Sequence, residues 1–516
     1  MSQRNLFSTL LLTAGFVLSS CSLVVNSSIG AGVGAPCEIA ADCQGEGALC
    51  DETATCTLPC SETAACPSGS TCSAGFCRSA GLGELGDKCA LASDCATADC
   101  RDGICVSPCS TTPDCPGGST CINETCQVTM VAGFIFDNQV STATEGFALS
   151  HEVGRKAAVE ALPWLETVRS ESNTTDTVNA SIDGLIDEGA QVLVVTTNRF
   201  AAESTEKAAA NPDVQFLNFA TASSGENLTG YNVRYHQAWY VAGYVAGRFE
   251  DGGKIGFLGA VPNPQVIRQL NAFTLGALKA NPSARVEVVW ANNFVPDNAI
   301  AQKLVDYLVT GGNRIIVNRL GKGTAVSYVS QLASAGADLF SMGLDNDTAC
   351  GLGPTSCLGA PYYNWGPLYT RMFDEIHRHV FDPKASINEP IRVDPAASPF
   401  HFALNDSIAG LSGLKPDIVT TISNLVGPAN EDLTFSDGFC VTDPAQRPDK
   451  PECEASGYTI EDSELASMCW LVKGVVQPSD PEDPASALVD ARAPDGTVIW
   501  PPKSVDPNSL TKPSCM

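Results

Sequence analysis

Sixteen cysteines crowd the stretch from Cys37 to Cys126, and the next one along the chain is Cys350. This distribution divides the protein into a region held by cross-links and a region that must build its own apolar core. The crowded stretch is an internal repeat. Its first copy carries Cys37, Cys43, Cys50, Cys56, Cys60, Cys66, Cys72 and Cys77; its second carries Cys89, Cys95, Cys100, Cys105, Cys109, Cys115, Cys121 and Cys126. The last four steps, of 4, 6, 6 and 5 residues, are the same in both copies. Pro67-Ser68-Gly69-Ser70-Thr71-Cys72 is echoed by Pro116-Gly117-Gly118-Ser119-Thr120-Cys121. Apolar residues are few here, so each copy is expected to depend on about four bridges, typically worth ~2–4 kcal/mol apiece. Eight cysteines allow roughly a hundred pairings, and spacing selects none of them. Zinc is the alternative to disulfides, but the region contains no histidine, and bridges are preferred. A stiff stalk is the preferred role for the two modules; a protein-recognition surface is the other.

At the amino terminus, Arg4 is the only charge before an apolar run from Leu6 to Leu18. That length suits the core of a signal peptide and falls short of a membrane span. The run closes on Leu18-Ser19-Ser20-Cys21, which resembles the lipobox cut by the lipoprotein signal peptidase. The resemblance implies a signal peptide over residues 1–20 and acylation of Cys21. Each buried methylene contributes ~0.8 kcal/mol, so three acyl chains hold a protein to a membrane almost permanently. Ser22, in place of aspartate, implies sorting to the outer membrane rather than the inner one in Gram-negative relatives. The expected location is the cell envelope, on the periplasmic or the surface face. Residues 21–36, with Gly30, Gly32 and Gly34, read as a lipidated, flexible tether. One of the 23 cysteines goes to the lipid, and the even remainder fits full pairing in an exported chain. Cys350, Cys357, Cys440, Cys453, Cys469 and Cys515 are therefore expected in bridges as well.

No later segment has the ~18 uncharged apolar residues that a membrane helix needs. A chain of 516 residues exceeds what one core supports, so several domains are expected. The formal charge of −28 repels phosphate backbones and anionic head groups. Nucleic acid is excluded as a partner, and membrane contact is expected only through the amino-terminal lipid. Gly81-Leu82-Gly83-Glu84-Leu85-Gly86 has the glycine spacing of a dinucleotide loop, but no strand precedes it and no helix follows, so the match is attributed to chance.

From Val131 the pattern changes to alternating strands and helices. Strands are expected at Val131 to Phe136, Gln191 to Thr196, Val214 to Phe219, Lys254 to Gly259, Arg285 to Trp290, Arg314 to Val317 and Leu339 to Met342. Helices are expected at Gly146 to Leu162, Ala201 to Ala210, Gln237 to Phe249, Pro264 to Ala280, Pro296 to Val309 and Thr324 to Ala335. Short β-branched runs between amphipathic helices mean parallel sheets covered on both faces, and so many units suggest two of them. Ligands in such folds bind beyond the carboxyl ends of the strands, so a cleft between two lobes is expected. Residues 477–516 are rich in proline and aspartate and read as an irregular tail.

The segment KIGFLGAVPNPQVIRQLNAFTLGALKANP, Lys254 to Pro282, closely resembles the opening of the second lobe in receptors of the basic-membrane-protein family. There a strand enters Gly-Phe and a helix carries Asn-Ala-Phe-x-x-Gly. Other matches follow in family order. They are Asn211-Pro212-Asp213-Val214-Gln215-Phe216, Tyr240-Val241-Ala242-Gly243-Tyr244-Val245-Ala246-Gly247, Met342-Gly343-Leu344-Asp345-Asn346-Asp347 and Asn364-Trp365-Gly366-Pro367. Ser467-Met468-Cys469-Trp470-Leu471-Val472-Lys473-Gly474-Val475 looks like the closing helix. The resemblance implies an α/β, two-lobed type I periplasmic binding protein fold with parallel sheets flanked by helices, preceded by the small disulfide-rich region. Its expected bounds are 131–476, after cysteine repeats over 37–127 (37–77 and 89–126). It also implies a lipoprotein that binds a nucleoside or similar ring-bearing polar solute and delivers it to an ABC permease.

The resemblance also suggests a ligand set. Phe147 and Phe294 align with the family's ring-stacking aromatics, Asp345 and Asp347 with its sugar-binding aspartates, and Asn364 and Trp365 with its next contact. Stacking on a ring is worth ~1–3 kcal/mol, and a carboxylate accepts neighbouring hydroxyls. His151, one helical turn after Phe147, is added as a residue facing the cleft. Plain core packing is the other reading for each phenylalanine, and helix capping for the aspartates. Two departures bear on specificity: Phe147-Ala148 stands where nucleoside receptors carry Phe-Asn, and Tyr363 where they carry a lysine. No catalytic residue, cofactor or metal is expected, since no Gly-x-Ser-x-Gly, phosphate loop or His-Glu-x-x-His is present. An enzyme remains the main rival class. A surface sensor or adhesin-like lipoprotein, with the binding fold reused, is the second.

Overall fold

The computed structural model describes residues 83–426 apart from Ala98, Ser224, 251–253 and Ser386, together with the strands at 49–50, 56–59, 70–73, 76–79 and 475–476. The expected signal peptide, Cys21, the expected tether, the bridges expected in the first cysteine copy, Cys440, Cys453, Cys469, Cys515 and the expected tail lie outside the described residues. Two compact units are present, residues 1–117 with 123–127, and residues 118–122 with 128–516.

In the first unit, β1 (Leu49–Cys50), β2 (Cys56–Pro59), β3 (Ser70–Ser73) and β4 (Phe76–Ser79) form an antiparallel sheet in the order β1-β2-β4-β3. The second cysteine copy adds β5 (Cys100–Arg101), β6 (Ile104–Cys105), β7 (Ser107–Pro108) and β9 (Thr125–Val128), while its β8 (Ser119–Ile122) is counted with the second unit. Bridges Cys89–Cys100, Cys95–Cys105 and Cys115–Cys126 lie within that copy. Cys89, Cys95 and Cys105 are themselves its buried cluster, with Cys100 packed against them. Sulfur stands where a larger domain would place leucine and valine.

The second unit has two lobes. One lobe is built on β10 (Met130–Ile135), β11 (Leu165–Ser170), β12 (Val192–Val195), β13 (Gln215–Phe219), β14 (Leu228–Val233) and, much later, β20 (Ile387–Glu389). They form one parallel sheet in the order β11-β10-β12-β13-β14-β20. All four residues of β12 are buried. Val192 and Val194 join the cluster under α1 (Phe147–Ala161) and α8 (Trp365–His377), and Leu193 and Val195 join the one under α2 (Val178–Asp187) and α3 (Ala201–Ala210). An unbroken apolar run is what a strand covered on both faces needs.

The other lobe contains β15 (Lys254–Gly259), β16 (Arg285–Trp290), β17 (Ile315–Arg319), β18 (Phe340–Met342) and β22 (Val475–Val476), all parallel, in the order β18-β17-β15-β16-β22. Its faces are covered by α4 (His236–Phe249) with α5 (Pro264–Ala280), and by α6 (Asn298–Thr310) with α7 (Thr324–Ser334). The α4–α5 crossing explains the glycines of Tyr-Val-Ala-Gly. A Cβ on Gly243 would lie 1.8 Å from the Phe273 carbonyl oxygen, and one on Gly276 2.0 Å from that of Tyr240. Only hydrogen at these positions lets the helices approach so closely.

The chain crosses between lobes three times: from β14 into α4, from β19 (Gly359–Tyr363) into α8, and from β20 through β21 (Phe400–Leu404) to α9 (Lys415–Val426), which packs on α4. Strands β19 and β21 pair antiparallel. In each sheet the first strand, β10 or β15, lies between its second and third. That order reverses the direction of the connections, and the crevice at the reversal is where such sheets bind ligands. Two clefts therefore face each other at the carboxyl ends.

Each strand and helix expected from residue 131 to residue 342 is present, with ends displaced by at most two residues. One expectation is corrected. Val475, read as the end of a closing helix, belongs to strand β22 and pairs with Val286 of β16; an apolar Val475-Val476 pair at the open edge of a parallel sheet gains a ladder partner there. Among the described residues no helix is long and apolar enough to cross a membrane.

Candidate functional site

The wall of the first lobe begins at Gly146. Its φ of +97° is a conformation that favours glycine, and it turns the loop after β10 into α1. The Gly146 N–H donates to Asn346 Oδ1 of the other lobe at 2.9 Å. The neighbouring Glu145 carboxylate accepts from the Gly323 N–H, just before α7, at 2.8 Å. The loop thus touches both the β17–α7 and the β18 connections of the facing lobe. Phe147 follows, half-buried, with its ring centroid 5.2 Å from those of Phe219 and Tyr363. One turn on, His151 is fully buried and stacks on Trp365 at 4.3 Å. His151 Nδ1 is 2.5 Å from the Tyr369 hydroxyl, which is 3.0 Å from that of Tyr231. Burial holds the His151 pKa well below the usual histidine range, so the ring is neutral. Glu152 ion-pairs with Arg155 and with Arg169 of β11, each at 2.7 Å. These pairs fix the rotation of α1 and hence the direction of Phe147.

The facing wall is polar. Asp345 follows β18 with a φ of +67°, and its N–H donates to the Pro361 carbonyl at 2.9 Å. Its carboxyl is buried, and burial pushes its pKa up to about 6, against the pull of the Arg319 charge and the Tyr235 hydroxyl. Arg319, the last residue of β17, is also buried; its Nε donates to Gln269 Oε1 of α5. Its guanidinium lies 5.7 Å from the centroid of the Phe294 ring. Phe294 is 37% exposed, the most open aromatic of the site. Tyr235 and Tyr363 stack at 3.8 Å and close the floor between the walls.

The proposed ligand residues therefore occupy three settings. Phe147, Phe294 and Asp345 stand at the carboxyl ends of strands from both sheets. His151 and Trp365 are sealed into the aromatic wall behind Phe147, where the Trp365 indole N–H donates to Ser150 Oγ at 3.0 Å. Asp347 is exposed, its charge acting on Tyr362, and the Asn364 amide is spent on the carbonyls of Pro395 and Ser398, at 3.1 and 3.0 Å. Neither aspartate caps a helix: the next turn, Ala349–Leu352, has Thr348 at its cap position. The Cys350–Cys357 bridge closes that loop. Tyr363, in the place of a lysine, is buried among rings, a setting in which an ammonium would be desolvated.

Arg319, Gln269, Phe219, Tyr235 and Glu145 were not singled out by sequence reading. A signal existed for Arg319: a cation ending the run Ile315-Ile316-Val317-Asn318 at the end of a buried strand. Asn346 lay inside a recognised motif, yet its role across the cleft depends on a contact 200 residues distant. Among the described residues two cysteine groups are close enough to suggest a metal. The sulfurs of Cys89, Cys95 and Cys105 lie within 4.8 Å of one another, as do those of Cys109, Cys115 and Cys126. All six are disulfide-bonded, and a metal needs free thiolates.

The profile of the family described as PnrA-like ABC transporter substrate-binding protein matches residues 132–382. A purine-binding protein of Brucella abortus is 29% identical over 227 residues, 43% of this chain and 63% of that protein. A Haloferax volcanii protein named for glucose binding in an ABC transporter is 24% identical over 257 residues, 50% of this chain and 63% of the relative. The chain thus spans under two thirds of the length of either. A solute-binding protein of an ABC transporter system from Conexibacter woesei superimposes with a TM-score of 0.49 and 17% identity, over 58% of this chain and 96% of that one. With their motifs in order on two parallel sheets, residues 132–382, just under half of the chain, match the Bmp family of PnrA-like ABC transporter substrate-binding proteins.

Proposed function

We propose that the chain is a lipid-anchored receptor of the cell envelope that captures a nucleoside, or a similar ring-bearing polar solute, between its two lobes and presents it to an ABC importer. One juxtaposition supports this most. Phe147 on one wall, Phe294 and Asp345 on the other, and a loop bonded across the gap through Gly146 and Asn346 supply what such a solute needs. Aromatic faces give affinity with little directional demand, and a carboxylate in a site that excludes water gives orientation. The ligand names of the two relatives, a purine and a hexose, are compatible with that division of labour. The receptor domain is taken to run from about residue 131 to 476, with Cys21 as the acylated residue and the cysteine modules as the spacer above an outer-membrane anchor.

A thermal-shift screen of the protein from residue 22 onward, against nucleosides, sugars and amino acids, tests the binding. A solute at about a hundred times its Kd adds ~2.7 kcal/mol of stability; a flat response to all classes rejects the reading. Fractionation of cells carrying Cys21→Ala tests the anchor, since a variant that stays wholly with the membranes rejects acylation at that residue.

A further inference from the structure

Arg319 is 95% buried, since its relative exposure is 5%, yet little in the protein answers its charge. Its Nε is fixed by Gln269 and its plane lies by Phe294. Its terminal nitrogens have no hydrogen-bond or ion-pair partner among the described residues. A guanidinium taken out of water is costly unless its donors are matched. The register of β17 against β18, Val317 beside Met342, brings Arg319 to the same sheet end as Asp345. Asp345 feels the charge but forms no ion pair with it. Donors and an acceptor of opposite charge thus stand at one sheet end with no ion pair between them among the described residues.

We propose that Arg319 is a ligand-binding residue whose terminal N–H groups take an oxygen acceptor of the solute, a carbonyl or a carboxylate, while Asp345 takes an adjacent hydroxyl or N–H. This rests on the solute-receptor reading above and narrows it to ring-bearing solutes that carry such a pair of groups. Gln269 is a positioning residue, because it holds the guanidinium rather than the ligand; Phe294, proposed above to stack on the ligand, also lies beside the guanidinium. A fork of fixed N–H donors suits a planar oxygen acceptor better than an ammonium would.

Calorimetric titration of the parent, Arg319→Met and Arg319→Lys with two matched pairs tests the assignment. Inosine and purine riboside differ by the carbonyl group; D-glucuronate and D-glucose differ by the carboxylate. The parent is expected to favour the oxygen-bearing member of one pair roughly ten- to a hundredfold, and the favoured pair identifies the acceptor. Arg319→Met should reduce that preference to about twofold, on the same magnitudes, and Arg319→Lys should restore part of it. A purely structural role would lower the melting temperature and leave the preference intact, which overturns the assignment. Equal binding of both members of each pair by the parent also overturns it while sparing the receptor reading. Failure of every probe to bind the parent overturns this assignment, and the broader screen then decides the receptor reading separately.

Discussion

Replacing Asp345 by asparagine should make the empty protein more stable and the receptor worse. The carboxyl is buried and its pKa is pushed from 3.8 up to about 6. A raised acid pKa means that the fold disfavours the ionised form. The native state then holds a proton that the unfolded chain has released, throughout the window between those two values. Stability from this group is full below about pH 4, falls as pH rises through 6, and stays low above it. The shift of about two units, at ~1.36 kcal/mol per unit, gives about 3 kcal/mol. An asparagine amide stays neutral at every pH, so Asp345→Asn should gain up to about 3 kcal/mol at pH 7.5 and almost nothing at pH 4. For a domain of this size that is a rise in melting temperature on the order of 5 °C. Ligand affinity at pH 7.5 should fall roughly ten- to a hundredfold, because a charge-assisted hydrogen bond is lost. Calorimetric melting of both proteins at pH 7.5 and pH 4 reads the difference directly. A variant less stable than the parent at pH 7.5 would refute the argument, since Asp345 would then be a structural contact and not a charge held for a ligand.

Phe147→Ala should weaken ring-bearing ligands more than simple polyols, by roughly 1–3 kcal/mol; equal losses for both in titration would remove it from the ring site. Glu145→Ala deletes the 2.8 Å bond to Gly323 across the cleft. Ligand release measured by stopped flow should quicken about two- to tenfold, a single hydrogen bond's worth, with the melting curve of the empty protein nearly unchanged; an unaltered release rate would show that the bond does not resist opening. Gly243→Ala places a methyl 1.8 Å from the Phe273 carbonyl oxygen and should cost at least about 1–3 kcal/mol, read as a lowered melting temperature; a variant as stable as the parent would mean that the α4–α5 contact is loose.

Much of the fold was legible because the signals were local. Lys254–Gly259, Pro264–Ala280 and Arg285–Trp290 form where patterning places them, since strand and helix periods alternate there without ambiguity. Other elements were missed for physical reasons. Strand β11, Leu-Glu-Thr-Val-Arg-Ser, is an edge strand with Glu166 and Arg169 exposed, and it lacks the apolar run of a central strand. Strand β20 has three residues and pairs with β14 across more than 150 residues of sequence. The site divides in the same way. Phe147 and Asp345 could be placed because they follow strands of recognisable motifs. That His151 faces inward to Tyr369 rather than toward the cleft depends on α8, which reaches it from 218 residues away. Arg319 lay two residues past the expected strand end at Val317, and only the structure extends β17 to include it.

Hydrogen exchange with and without the solute that gives the largest thermal shift tests the central claim most directly, because it reports on both walls at once. The account predicts added protection together at residues 145–151, 292–295, 319–323 and 343–347, as closure buries loops of both sheets around one ligand. Protection confined to one lobe, or to the cysteine-rich residues 83–127, would contradict a site between the lobes.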